Sequence, residues 1–436
     1  MMQVSSLNHV IQRTVMWLMV ALYYFYEMVL RASSGVLAQE FMNTFQLQAT
    51  QLGTLAAVYG YVYSGLQIPC GMLLDRIGVR YLVSVSCVLC AFGALLLGAA
   101  YHYPIALLGR ICIGAGSACA FISTLRLIVE WFEPRHFTLM SGLTNAVGCI
   151  GGLCAAYPLA QLIALLGWRQ ALFALSGAGL VLAALIWLCV RDGPETISQP
   201  SVDMDGTVLE ESPYTVSELI FPVLKNKYIW VAGILGAILY SPLVVFAEAW
   251  GIPFLQNVYN ISASKASTSS MYIYVSIALG SMLVLPLCHR WKSHLTPIAW
   301  STPVIAGSLF AIALLSGWVW FPLILGLCAV VGLAMGAQVL VFSIVHDHVP
   351  AKLSGTASAL TNTIIMAIGY IMQSGFGRVM DYFWDHTRSA DGTPIYTSKP
   401  YRYALCILAA FILLALLGVW ILKRFSYSTP QNTPVE

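Results

Sequence analysis

Charge is what this chain has least of. Asp, Glu, Lys and Arg make up 9% of its 436 residues, while hydrophobic types make up 59%; a soluble domain carries about 25% charged residues. A surface so short of charge cannot face water, which excludes a soluble enzyme or scaffold. The formal net charge of +3 is small and its basic residues are scattered, so no nucleic-acid partner is expected. Catalytic strings are missing too. There is no G-x-x-x-x-G-K-[ST] loop to bind ATP, and neither G-x-S-x-G nor H-E-x-x-H occurs, so no enzyme is indicated. The first apolar run, from about Val15, has no small-residue cleavage site, so it is expected to act as an uncleaved anchor. The eleven cysteines lie in or at the ends of apolar runs. Cys87 and Cys90 have C-x-x-C spacing but sit in mid-run, where small residues pack helices, so no disulfide, metal or cofactor is expected.

What the chain does have is apolar runs. About 20 residues cross the hydrocarbon of a bilayer, and such runs centre near residues 25, 61, 91, 118, 150, 179, 241, 278, 305, 332, 363 and 411. Twelve spans are therefore expected, in contact with lipid. Two longer polar stretches interrupt them, 191–227 and 378–402. The first splits the chain into six plus six spans: bundles at 1–190 and 228–436, joined by a linker at 191–227. Up to about Glu211 this linker lacks the apolar residues needed to pack. Lys and Arg concentrate in the loops on the face that holds both termini and the linker, which predicts that face to be cytoplasmic. Compact tails and no trafficking signal point to a bacterial inner membrane. The segments 133–145 (EPRHFTLMSGLTN) and 349–362 (VPAKLSGTASALTN) repeat one another ahead of the fifth and eleventh spans, with one residue inserted.

Three motifs carry a resemblance. GMLLDRIGVR at 71–80 places Asp75, Arg76 and Arg80 in a short segment between two apolar runs. RICIGAG at 110–116 reads R-x-x-x-G-x-G in the fourth span, and Gly142, Gly148, Gly151, Gly152 and Pro158 punctuate the fifth. Together with the two-fold repeat, these resemble the major facilitator superfamily of secondary transporters. The resemblance implies an all-α polytopic membrane protein, two six-helix bundles related by a pseudo-two-fold axis, working as a monomer by alternating access. It also implies that the first, fourth, seventh and tenth spans line a central cavity. The fifth span lacks the Gly-Pro pair typical of proton-driven drug antiporters, and the second-half copy of the loop motif, LCHRWKSH at 287–294, has lost its acidic residue.

Charges within spans cost about 2.5–3.5 kcal/mol each on insertion scales and so mark function by default. Glu27 and Arg31 lie four apart in the first span and share a face with Tyr24. Tyr59, Tyr63 and Gln67 recur every four residues in the second. We take Tyr24, Glu27, Arg31, Tyr59, Tyr63 and Gln338 (on the tenth span) as candidates for substrate contact. The arginine suits a carboxylate or phosphate, and the carboxylate suits an amine or a proton. Glu248, in FAEAWGIPF, has no Lys or Arg within four residues and suits a proton carrier; Arg110 matches the family position linked to coupling. Asp75, Arg76 and Arg80, with Arg126 and Glu130 four apart in the fourth span, suit a cytoplasmic gate. Asn145, Tyr272, Asn362 and Gln373 read mainly as interhelical hydrogen bonding, and His346 and His348 around Asp347 as gate or surface.

The expectation is a secondary transporter of a small polar solute (amino acid, short peptide or organic anion), proton-coupled or exchange-driven. Alternatives are a drug or siderophore exporter and, from another class, a non-transporting membrane sensor, against which the small linker argues.

Overall fold

A computed structural model of the chain describes residues 2–192, 216–350, 353–389 and 392–428. The described residues are almost wholly helical: α1 Met2–Phe45, α2 Ala49–Ala99, α3 Tyr103–Ser117, α4 Ala120–Trp131, α5 Phe137–Leu166, α6 Trp168–Cys189, α7 Val216–Lys225, α8 Lys227–Ser241, α9 Gly251–Tyr259, α10 Ala263–Trp291, α11 Leu295–Leu315, α12 Phe321–Met335, α13 Leu340–His346, α14 Ser354–Tyr382, α15 Ser398–Ile412 and α16 Ala415–Ser428. A π-helical segment, Pro242–Trp250, joins α8 to α9, and a 3₁₀ turn, Gly336–Val339, joins α12 to α13. Ten stretches of the described residues are long and apolar enough to cross a membrane. The other two expected spans, near 61 and 363, lie in α2 and α14 and carry more polar residues. Most of the expected linker lies outside the described residues, but its last part forms α7.

The breaks between helices follow from local chemistry. Pro104 opens α3 and Pro322 opens α12 in the first turn, where the missing N–H has no helical partner to lose. Asn226 and Ser262 cap α8 and α10 by accepting from the N–H of Tyr228 and Lys265. Gly167 turns the chain between α5 and α6 at φ 85°, a conformation that a side chain would strain. The 71–80 motif, expected as a short loop, is instead helical with a single interruption at Gly78, φ 78°. A Cβ at Gly78 would stand 2.5 Å from the Asp192 carboxylate. That carboxylate accepts from Arg80 N at 2.9 Å, while the Arg80 guanidinium donates to Trp187 O at 2.9 Å and stacks 4.3 Å over the Trp187 ring.

The chain packs into two compact units. One contains the chain up to Ser33 and the described part of Val58–Pro222; the other contains Ser34–Ala57 and the described chain from Val223 onward. The end of α1 and the start of α2 thus pack among the helices of the second unit, although span counting groups them with the first bundle.

That packing has a specific anchor. Asp381, at the end of α14, accepts from Ala49 N at 3.1 Å and Thr50 N at 2.8 Å, two of the orphan donors of the first turn of α2. The Tyr396 hydroxyl donates to the same carboxylate and accepts from Ala49 N at 2.8 Å. Burial, then the adjoining Asp381, push the Tyr396 hydroxyl well above its ordinary pKa, so it stays a donor. Gly377 allows the close approach: a Cβ there would meet Ala49 O at 2.3 Å.

Candidate functional site

In the first unit, the charged face of α1 is fully enclosed. Glu27 is 1% exposed, Arg31 3% and Arg110 2%. The Tyr59 hydroxyl, brought from α2, donates to Glu27 Oε1. Arg110, from α3, donates to Leu30 O at 3.0 Å and lies 5.1 Å over the Tyr59 ring. Tyr59 and Tyr63 stack at 5.9 Å between centroids. Glu27, Tyr59 and Arg110 therefore form one cluster whose charges are held by hydrogen bonds and a ring face, as burial demands.

The R-x-x-x-G-x-G motif explains how Arg110 gets there. Gly114, one turn on, faces the Tyr59 backbone, and a Cβ would stand 2.4 Å from Tyr59 O. Gly116 accepts from the Tyr23 hydroxyl at 2.7 Å. The two glycines let α3 lie against α1 and α2 closely enough for Arg110 to span both. Tyr24 packs against the Phe121 ring at 5.3 Å and against Gly148 of the glycine-rich α5.

The expected gate residues are dispersed in their roles. Arg126 and Glu130 pair along α4 at 2.6 Å. Arg80 is tied to the end of α6 through Trp187 and Asp192, a partner that sequence reading missed. Arg76 is exposed, and the side chain of Asp75 lies outside the description.

In the second unit, Glu248 is 2% exposed and sits inside the π-helical segment. The Tyr274 hydroxyl, from α10, donates to Glu248 Oε1 at 3.3 Å. Gly35 lies against its backbone, where a Cβ would meet Glu248 O at 2.9 Å. Gln338 is half-buried in the 3₁₀ turn between α12 and α13. Gln373 is buried and donates to Val244 O at 2.8 Å, whereas Tyr272 and Asn145 are exposed. His348 stacks on Tyr228 at 4.0 Å, and His294 pairs with Asp347 at 3.6 Å. Among the described residues, no three metal-binding side chains cluster. Tyr274 and Asp381 were not singled out from the sequence. A carboxylate at the end of the eleventh span was a readable signal for Asp381; nothing local marked Tyr274.

Apolar helices of membrane length with enclosed charges at two places define an integral, multi-pass membrane protein. The chain belongs to the Major Facilitator Superfamily, whose family model matches residues 16–374. It is similar to a probable L-galactonate transporter of Escherichia coli, 24% identical over 65% of this chain and 63% of that protein. With a probable galactarate/D-glucarate transporter of Bacillus subtilis it shares 22% identity over 93% of this chain and 92% of the relative. With a D-galactonate transporter of Escherichia coli the identity is 25% over 81% and 87%. The chain spans about three fifths of the length of the first curated relatives it matches. Its fold is that of a bacterial homolog of the human lysosomal transporter Spinster, with TM-score 0.81 and 17% identity over 95% of this chain and 97% of the other. A D-xylose–proton symporter aligns with TM-score 0.71 and 14% identity over 93% and 97%.

Proposed function

We propose that this protein is a secondary transporter of small organic anions, and that its substrates are sugar acids: one or two carboxylates on a polyhydroxylated chain. The observation that carries the reading is the enclosed α1 face, with Arg31 and Arg110 both buried beside Glu27 and a set of tyrosines. A guanidinium away from water binds a carboxylate in fork geometry, and tyrosine hydroxyls and amides bind sugar hydroxyls. The printed names of several relatives, galactonate, galactarate, glucarate and hexuronate transporters, support that class over amino acids or peptides. In this reading Arg31 holds the carboxylate, and Tyr24 and Tyr63 contact the remainder. Tyr59 and Arg110 hold Glu27 in position, and Glu248 carries the coupling proton. Asp75, Arg76, Arg80, Arg126 and Glu130 serve the switch between states. The membrane is a bacterial inner membrane, with both termini cytoplasmic.

The test is a thermal-shift screen of purified protein with galactonate, glucarate, glucuronate, amino acids, dipeptides and sugar phosphates. A bound solute at a hundredfold excess over its Kd stabilises the protein by about 2.7 kcal/mol. Sugar acids are expected to raise the melting temperature, and Arg31→Gln to abolish that rise. Stabilisation by dipeptides or amino acids with none from sugar acids would overturn the substrate class.

A further inference from the structure

The segment that carries Glu248 is unusual, because nine consecutive residues, Pro242–Trp250, form a π-helix in which every residue is buried. Wide i→i+5 turns are rare and occur mostly as single bulges inside α-helices, often at functional sites. Here the surroundings are visible. Pro242 lacks the N–H that would meet Ile238 O, and the Ser241 hydroxyl donates to that carbonyl instead at 2.7 Å. Within the segment, Val244 O accepts from Gln373 Nε2 at 2.8 Å and Ala247 O accepts from the Ser270 hydroxyl at 2.8 Å. At the far end the Trp250 indole donates to Gln373 O at 3.1 Å, and Gly251 N closes the last wide turn on Phe246 O. Gln373 thus touches both ends of the segment from α14, and Ser270 holds its middle from α10. All of Gln373, Ser270, Trp250 and Glu248 are within 2% of full burial.

We propose that Gln373 and Ser270 are positioning residues. Their side chains take up carbonyls of the widened turns, hold the segment π-helical and so fix the direction in which Glu248 meets Tyr274. This inference rests on the reading of Glu248 as the proton carrier. Without these two donors, the carbonyls of Val244 and Ala247 lose buried partners and the segment is free to tighten. Absorbing one residue into an α-helix rotates whatever precedes or follows it by about 100°, which turns Glu248 away from its present partner.

The experiment compares Ser270→Ala, Ser270→Thr and Gln373→Leu with the parent protein, and with Glu248→Gln in parallel. Amide hydrogen exchange of residues 242–251 is measured in purified protein without substrate. Exchange about tenfold faster in S270A and Q373L, with S270T close to the parent, is expected for turns that have lost their holders. Unchanged protection in both S270A and Q373L would overturn the proposal. In proteoliposomes with labelled D-galactonate as probe, S270A and Q373L should lose proton-driven accumulation while keeping solute exchange, and S270T should restore accumulation. If E248Q loses accumulation but S270A and Q373L keep it, the positioning claim fails. If E248Q accumulates like the parent, the proton-carrier reading fails, and hydrogen exchange alone decides whether the two residues hold the segment. That measurement needs no substrate, so it is decisive for the proposal whatever the probe. The S270A and S270T pair keeps the proposal open to refutation if Q373L does not fold.

Discussion

Two buried carboxylates in this protein are placed by opposite means. Glu27 stands on regular helix, and its surroundings are built from side chains: the Tyr59 hydroxyl, with Arg110 over the Tyr59 ring and bonded to the next turn of α1. Glu248 stands on irregular helix, and its surroundings are built from backbone: a π-helical segment whose carbonyls are taken up by Ser270 and Gln373, with the Tyr274 hydroxyl at the carboxylate. In the first case glycines thin the neighbouring helix so that a long cation can cross it. In the second the helix itself is widened. A site crowded with buried cations suits an anionic solute. A buried carboxylate met by the Tyr274 hydroxyl on a widened turn stands apart from that anion site.

The comparison can be broken most severely at Arg31. Truncating a buried charge that pairs with a bound partner costs about 2–5 kcal/mol of binding, so Arg31→Gln should weaken sugar-acid binding by about thirtyfold or more in calorimetric titration. An affinity close to the parent would move the carboxylate site to Arg110. A smaller effect is expected at Tyr59→Phe. A hydrogen bond to a charged group contributes about 1.5–3 kcal/mol of stability, so the melting temperature should drop and uptake should fall with it. The same hydroxyl removal at Tyr274 tests the other carboxylate and should spare binding. Asp381→Ala deprives the first turn of α2 of its acceptor, at a cost of about 0.5–2 kcal/mol for a lost helix cap. It should lower the melting temperature without changing substrate affinity; a selective loss of affinity would place Asp381 at the substrate instead. The least effect on stability is expected from Arg126→Gln, whose pair with Glu130 is half open to the surface. Such pairs contribute about 0.3–0.5 kcal/mol, and a larger drop in melting temperature would show that the pair holds the fold.

Much of the architecture was legible in the chain, because a bilayer imposes one rule on every span: apolar length with the charges at the ends. The exceptions to that rule were legible for the same reason: the structure encloses Glu27, Arg31, Arg110 and Glu248, whereas Arg126 and Glu130 of the fourth span pair with one another and Arg126 stays half exposed. The Arg110–Gly114–Gly116 spacing was readable as a motif, although its purpose, close approach to Tyr59 and Tyr23, needed coordinates. Partners supplied from distant helices were not legible. Gln373 was readable as an interhelical hydrogen-bonding residue, but its partner in the Glu248 segment was not, nor were Ser270 and Tyr274, because apolar periodicity carries no record of which helices pair. Nor was the π-helix foreseen. Pro242 opens the segment, and whether a proline there gives a kink or a wide turn depends on the hydrogen-bond donors nearby. The loop expected at 71–80 is shorter than its charges suggested, since one glycine at φ 78° accomplishes the turn.

The central claim is a division of labour, with the anion bound at the α1 face and the proton carried at Glu248. It is tested most directly by placing Glu27→Gln and Glu248→Gln side by side in proteoliposomes and measuring both proton-driven accumulation and exchange of labelled D-galactonate. The account predicts that Glu248→Gln loses accumulation and retains exchange, while Glu27→Gln is impaired in both. The opposite pattern, with accumulation intact in Glu248→Gln and selectively lost in Glu27→Gln, would contradict the account and move coupling to the α1 site.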